Sequence, residues 1–150
     1  MDRSAVISAA GQVIEDVYVG VLSTVDAHGQ PHGRYMGAVM SKDGGWLYAL
    51  SAKETRKVEH IRRNARVCWS FMRHDGREAV ALYGQASVHE TTVLPDDAWY
   101  HLSEFVEPYQ MNAAKDEQHH AFVALVTKVT AIEYLNPGQG VNHPERVSFD

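Results

Sequence analysis

Apolar positions near the start of the chain recur with the period of a helix. Val6, Ile7, Ala10, Val13, Ile14 and Val17 fall on one face, and Ser4 stands where an N-cap belongs, which predicts a helix over 4–16. The stretch 17–25 is rich in β-branched residues and predicts a strand. The turn sequence Asp26-Ala27-His28-Gly29-Gln30-Pro31 leads into a second strand over 32–40, and Ser41-Lys42-Asp43-Gly44-Gly45 leads into a third over 46–50. Connections of hairpin length predict antiparallel pairing of these three strands. After Ser51 the period changes. Val58 and Ile61 stand three apart among polar residues, predicting a short helix over 55–63 that ends near Asn64. Strand character returns over 66–72 and 78–89, joined by the turn His74-Asp75-Gly76. Pro95 opens a second helical stretch through Phe105. The stretch 108–118 fits helix or loop, and 119–134 reads as a long strand bent near Lys128. An irregular tail is expected over 136–150. About six strands with two or three short helices predict a mainly β fold, an antiparallel barrel closed or partly closed, in one domain over 1–150.

Composition agrees with a globular chain and removes several classes. Hydrophobic residues make up 45% and charged residues 22%, far from the profile of a disordered chain. The longest apolar runs, such as 121–126, fall well short of the ~20 residues a membrane span needs. Residues 1–20 carry Asp2, Glu15 and Asp16 without an unbroken apolar stretch, so no signal peptide is expected, and a cytoplasmic location without membrane attachment is the default. Cys68 is the single cysteine, which excludes an intrachain disulfide and a cysteine zinc cage.

Charge is unevenly placed. The chain carries 14 Lys+Arg and 19 Asp+Glu, a net −5. Residues 53–66 hold six basic side chains (Lys53, Arg56, Lys57, Arg62, Arg63, Arg66) against Glu54 and Glu59, a local +4 that leaves −9 for the rest. One basic segment on an acidic protein suits a compact anion site better than a nucleic-acid surface, because a long polyanion is repelled everywhere else. Lys53, Arg56 and Lys57 cluster where a helix begins, and the helix macrodipole disfavours cations there by roughly 0.3–1 kcal/mol each. A bound anion turns all three into contacts, with Ser51 and Thr55 supplying hydroxyls and Arg56 a two-pronged grip. The bland alternative is a solvated helix whose cations pair with Glu54 and Glu59.

The strand over 32–40 supplies the context. Alternation puts Arg34, Met36 and Ala38 on one face, with Gly33, Tyr35 and Gly37 on the other. Two glycines in one strand mark close approach of a ligand or another backbone, and a mid-strand arginine needs solvent or an anion. A flat ring lying along the strand, its polar edge facing Arg34, satisfies both.

Arg34-Tyr35-Met36, a strand ending at Ser51, and then Thr55-Arg56-Lys57-Val58 followed by Ile61 and Asn64-Ala65-Arg66-Val67 resemble the pyridoxamine 5′-phosphate oxidase-like split-barrel flavoproteins, in particular the short general-stress-protein subgroup. The resemblance spans about residues 5–135 and is sharpest over 20–90. It implies a Greek-key split β-barrel that binds FMN and forms a homodimer, with the flavin at the subunit interface. It further implies that Arg34, Tyr35 and Met36 lie against the isoalloxazine ring, that Ser51 contacts the flavin, and that Thr55, Arg56 and Lys57 hold the phosphate. Lys53 joins them on charge grounds. Tyr134 falls where the subgroup often has an aromatic residue near the flavin. The implied activity is that of a small oxidoreductase passing hydride or electrons through FMN. The alternatives are a flavin-binding stress or sensor protein without turnover, and the same barrel holding a deazaflavin coenzyme or haem.

Departures exclude the true oxidase activity from that expectation. Tyr35 stands where the subgroup usually has proline, Val39 where the oxidases have lysine, and Ala79 where they have glutamine. Their C-terminal Arg-x-His segment has no counterpart over 136–150. Nine histidines form no convincing ligand pattern: His28 and His32 are separated by Gly29 and Pro31, and His119 and His120 are adjacent, so no metal site is expected. Cys68 reads as a small buried hydrophobe, and Trp69, Phe71, Trp99, Tyr100 and Phe105 as core or subunit-interface residues.

Overall fold

The computed structural model describes residues 1–106 and 121–150. The expectations for 108–118 and for His119 and His120 lie outside the described residues. Helix α1 (Arg3–Val17) buries Val6, Ala10, Val13 and Ile14, the predicted face. Its N-cap is Asp2 rather than Ser4: the Asp2 carboxylate accepts from the Ala5 N–H at 2.8 Å. The helix stops at Tyr18, whose φ of 65° turns the chain into β1 (Val19–Val25).

The expected strand over 32–40 is two strands. β2 (Pro31–Gly37) pairs antiparallel with β1 from Val25↔Pro31 to Val19↔Gly37. The ladder then breaks at Ala38, whose N–H donates to the Tyr18 carbonyl, and β3 (Val39–Met40) pairs with β4 (Trp46–Ala52). The strand order is β2-β1, then β5 (Arg66–Met72), β6 (Ala79–His89) and β7 (Phe122–Asn136), then β4-β3, so β2 and β3 form opposite margins of one sheet although a single residue separates them in the chain. The first three predicted strands therefore do not form one meander, and the sheet curls until β2 and β4 approach each other. Every pairing is antiparallel, as expected.

β5 (Arg66–Met72) and β6 (Ala79–His89) form the predicted hairpin. β6 runs along β7 (Phe122–Asn136), with a register shift between Tyr83 and Gly84, opposite Ala131 and Val129 and next to Lys128. A Cβ at position 84 would meet the Lys128 carbonyl, so glycine lets the strands close there. The supposed irregular tail is a 3₁₀ turn, Pro137–Gln139, followed by β8 (Val141–Ser148) on β7. β8 is polar, contains Pro144 and pairs on one side, features that hide an edge strand from pattern reading.

Two cores result. One fills the curl beneath α1, with Trp69, Phe71, Leu82 and Ile132 fully buried. The other joins Leu50, Phe122, Ala124 and Val126 of β4 and β7 to Leu94, Ala98 and Leu102 around helix α3 (Asp96–Val106). Helix α2 (Arg56–Arg63) follows β4 and packs against β6 and β1, inserting Val58 and Ile61 into the first core. Among the described residues no helix is long and apolar enough to cross a membrane.

Candidate functional site

A cleft of about 490 Å³ opens where β2 and β4 approach without a ladder between them. Arg34, Tyr35, Met36, Ser51 and Lys57 line it. Its apolar wall is Val19, Leu50, Leu102 and Phe122. The volume falls in the range of sites for cofactor-sized ligands, and apolar walls with a few convergent polar groups are their usual composition.

The polar side is built by the turn from β4 into α2. Ser51 is buried, and its hydroxyl donates to the Ala52 carbonyl at 3.0 Å and lies 3.3 Å from that of Thr55. Thr55 occupies the N-cap position of α2 in an extended conformation, but its hydroxyl turns back to the Ala52 carbonyl at 3.5 Å and caps no helix amide. The first amides of α2 thus have no side-chain acceptor from the cap residue.

Three cations converge here. Burial holds the Arg34 guanidinium below its ordinary pKa, and the nearby Arg56 adds to the shift. Lys57 is lowered by burial and then by Arg34. Among the described residues no carboxylate lies within ion-pair distance of Arg34, Arg56 or Lys57; the ion pairs present join other groups. The bland alternative, in which Glu54 and Glu59 neutralise this segment, is not the arrangement found. Arg34 and Lys57 are half-buried with Arg56 exposed beside them, and like charges set close together without a counter-ion stand at a cost that a bound anion would relieve.

Four expected site residues do not line the cleft: Thr55 stands at its edge against Ser51, Arg56 is exposed near Arg34, and Lys53 and Tyr134 fall elsewhere. Lys53 is exposed on the turn and lines no part of the cleft. Tyr134 sits at the opposite end of the 15-residue β7 from Phe122, buried, with its hydroxyl bonded to Glu78 and Asn136. The space over Gly37 is not open either: a Cβ there would run into the Tyr18 ring, so that glycine accommodates a side chain of the same chain. Leu102 and Phe122 were missed because they reach the cleft through long-range packing of α3 and β7, which local patterns do not announce.

The remaining singled-out residues behave as structure. Trp69 and Phe71 stack at 6.0 Å in the core, and Trp69 Nε1 donates to Thr127. Trp99 packs on the second core, whereas Tyr100 is exposed. Cys68 is half-buried rather than buried as expected, and desolvation pushes its thiol up. Among the described residues no group of three or more metal-ligating side chains occurs.

Comparison with known proteins places this geometry. The family model described as pyridoxamine 5′-phosphate oxidase matches residues 8–136. General stress protein 26 of Bacillus subtilis (strain 168) is 34% identical over 94 residues, 58% of this chain. That match spans 62% of the relative, less than two thirds of its length. Among solved structures, General Stress Protein 26 from Bacillus anthracis str. Sterne is similar with a TM-score of 0.74 at 21% identity, covering 99% of this chain and 100% of that one. An F420 reductase matches with a TM-score of 0.61 at 19% identity over 81% and 93% of the two chains. A heme binding protein from Mycobacterium smegmatis matches at 0.70 and 13% identity over 99% and 60%. At these identities the structural likenesses speak for the fold, a split barrel, and the expected architecture stands.

Proposed function

Since this chain belongs to the pyridoxamine 5′-phosphate oxidase family, we propose that it binds FMN in the cleft between β2 and β4 and acts as a small oxidoreductase. The observation that carries the reading is the set of three convergent cations without a carboxylate partner, at the rim of an apolar-walled cleft of suitable volume. The residues fit the group. Arg56, Lys57, the Thr55 hydroxyl and the uncapped amides of α2 would hold the phosphate. Met36, Leu50, Leu102 and Phe122 would exclude water from one face of the ring, and Arg34 would meet its polar edge. Bound FMN supplies the hydride and electron transfer, and the chain supplies binding and orientation. Tyr35, 81% exposed beside the cleft, supports a second copy covering the site.

The test compares FMN with riboflavin, which lacks the phosphate. Each charge-assisted bond contributes about 1.5–3 kcal/mol, so Arg56→Ala with Lys57→Ala should weaken FMN by at least about a hundredfold and riboflavin by no more than about threefold. Equal losses for both, or none, would overturn the phosphate assignment. A second reading draws on the F420 reductase and haem-protein likenesses: the same barrel holding a deazaflavin coenzyme or haem. The visible spectrum of the purified protein separates the three ligands.

A further inference from the structure

Arg34 stands on a buried polar pedestal that ligand contact does not explain. Thr24, on the inner face of β1, is fully buried, and His60 of α2 is buried beside it. The three side chains are linked in series. Arg34 Nη1 donates to Thr24 Oγ1 at 2.7 Å, and Thr24 Oγ1 lies 2.8 Å from His60 Nδ1. The same Nη1 donates to the carbonyls of Leu22 at 3.0 Å and His32 at 2.9 Å. Among the described residues every hydrogen bond of Arg34 runs through Nη1, and Arg34 lines the cleft, so its Nε and Nη2 are left for whatever enters there.

The series sets its own polarity. A guanidinium can only donate, so the Thr24 oxygen accepts from Arg34 and its one proton goes to His60 Nδ1. His60 is then the neutral ring with its proton on Nε2. A protonated ring would donate through Nδ1 and set a second cation against the oxygen that seats Arg34. The surroundings favour the neutral form: burial, then His32, Arg34 and Arg56, hold His60 below its ordinary pKa, with Asp26 opposing. His32 lies 4.9 Å away, ring to ring, and is itself bonded to Asp26.

We propose that His60 is a positioning residue: through the Thr24 hydroxyl it seats Arg34 Nη1 against β1 and thereby aims the rest of the guanidinium into the cleft. The proposal rests on reading that cleft as a cofactor site. The ligand feature it serves is a planar ring edge carrying hydrogen-bond acceptors, which Nε and Nη2 can meet as a fork.

Two measurements test it. FMN binding, followed by fluorescence quenching, should weaken about tenfold in Thr24→Val and in His60→Leu, the loss of one oriented hydrogen bond. Thr24→Ser and His60→Asn keep the hydroxyl and an acceptor, and should stay within about threefold of wild type. On an Arg34→Ala background neither Thr24→Val nor His60→Leu should cost anything more, because both act through Arg34. Equal losses with and without Arg34 would mark a merely structural role and overturn the proposal, as would no loss in either variant. The second measurement uses ligand-free protein: nitrogen-detected NMR of Arg34 should show slow guanidinium rotation in wild type and Thr24→Ser, and fast rotation in Thr24→Val and His60→Leu. The same rate in all four overturns the proposal. Wild-type protein that takes up no FMN overturns the cofactor reading instead, and the rotation rates then decide the role of His60 by themselves.

Discussion

Positive charge at opposite ends of the barrel is handled in opposite ways. At the β5–β6 hairpin, Arg73 donates to Glu78 at 2.6 Å and to Asp16 of α1 at 2.8 Å, and the Tyr134 hydroxyl bonds the same Glu78 carboxylate. Its guanidinium is raised by Glu78 and then Asp16, and Asp16 is lowered in return. Near the cleft, Arg34 and Lys57 are shifted the other way, by burial first and then by Arg56 and by Arg34 respectively. The hairpin arginine is a clamp already closed on its partners. The cleft cations are a half-finished ion pair whose other half is not on the described chain. On the proposed reading the opposite signs set a charge that serves structure apart from one that serves a ligand, which the mere presence of Arg and Lys does not.

That contrast can be broken by converting one arrangement into the other. Ala52→Asp would put a carboxylate among the cleft cations, neutralising them internally and repelling a dianion. FMN should weaken by more than about a hundredfold, by titration, since a like charge at ~4 Å costs about 4 kcal/mol near a protein surface. A thermal midpoint unchanged or raised in the same variant would show that the cations had lacked a partner; a large fall would show that they had not. FMN at a hundred times its Kd should stabilise the wild type by about 2.7 kcal/mol, a rise of roughly 5–10 °C in Tm. No such rise is expected in Arg56→Ala with Lys57→Ala. The opposite conversion, Asp16→Asn with Glu78→Gln, strips the hairpin clamp. Its Tm should fall, while FMN affinity stays within about twofold, because the hairpin clamp bonds Tyr134 at the end of β7 opposite the cleft residue Phe122.

The smallest effect is the pH dependence set by His60. Its folded pKa is depressed, so between that value and about 6.5 the unfolded chain binds the extra proton. Stability is fully present above about 6.5 and is lost as pH falls through the folded pKa. Urea unfolding of His60→Asn should show a shallower decline over that window than wild type. Identical slopes would remove His60 from the account.

Local patterning reported what local physics controls. α1, α2, β5 and β6 were legible because their apolar periods and turn residues agree, with the α1 cap displaced from Ser4 to Asp2. The break at Ala38 was not, since nothing in Gly37-Ala38-Val39 announces that its two sides pair with different strands. β8 was hidden by its polarity, and strand order lies in contacts between distant residues. In the site, Arg34, Met36, Ser51 and Lys57 were readable as charge and motif. Thr24 and His60 were not: a buried threonine in a strand and a histidine between Val58 and Ile61 look like ordinary filling until their separation of 2.8 Å is seen.

The interruption at Ala38 has a mechanical side. One short run of chain hems both borders of the sheet, so the barrel is fastened there by covalent linkage, while β2 and β4 are left unlaced. A guest lodged between Arg34 and Ser51 would act as the missing stitch, and its departure would loosen the two borders together. Occupancy and rigidity at this seam are then one property, felt along β2 and β4 and scarcely at all in the long ladder of β6 and β7.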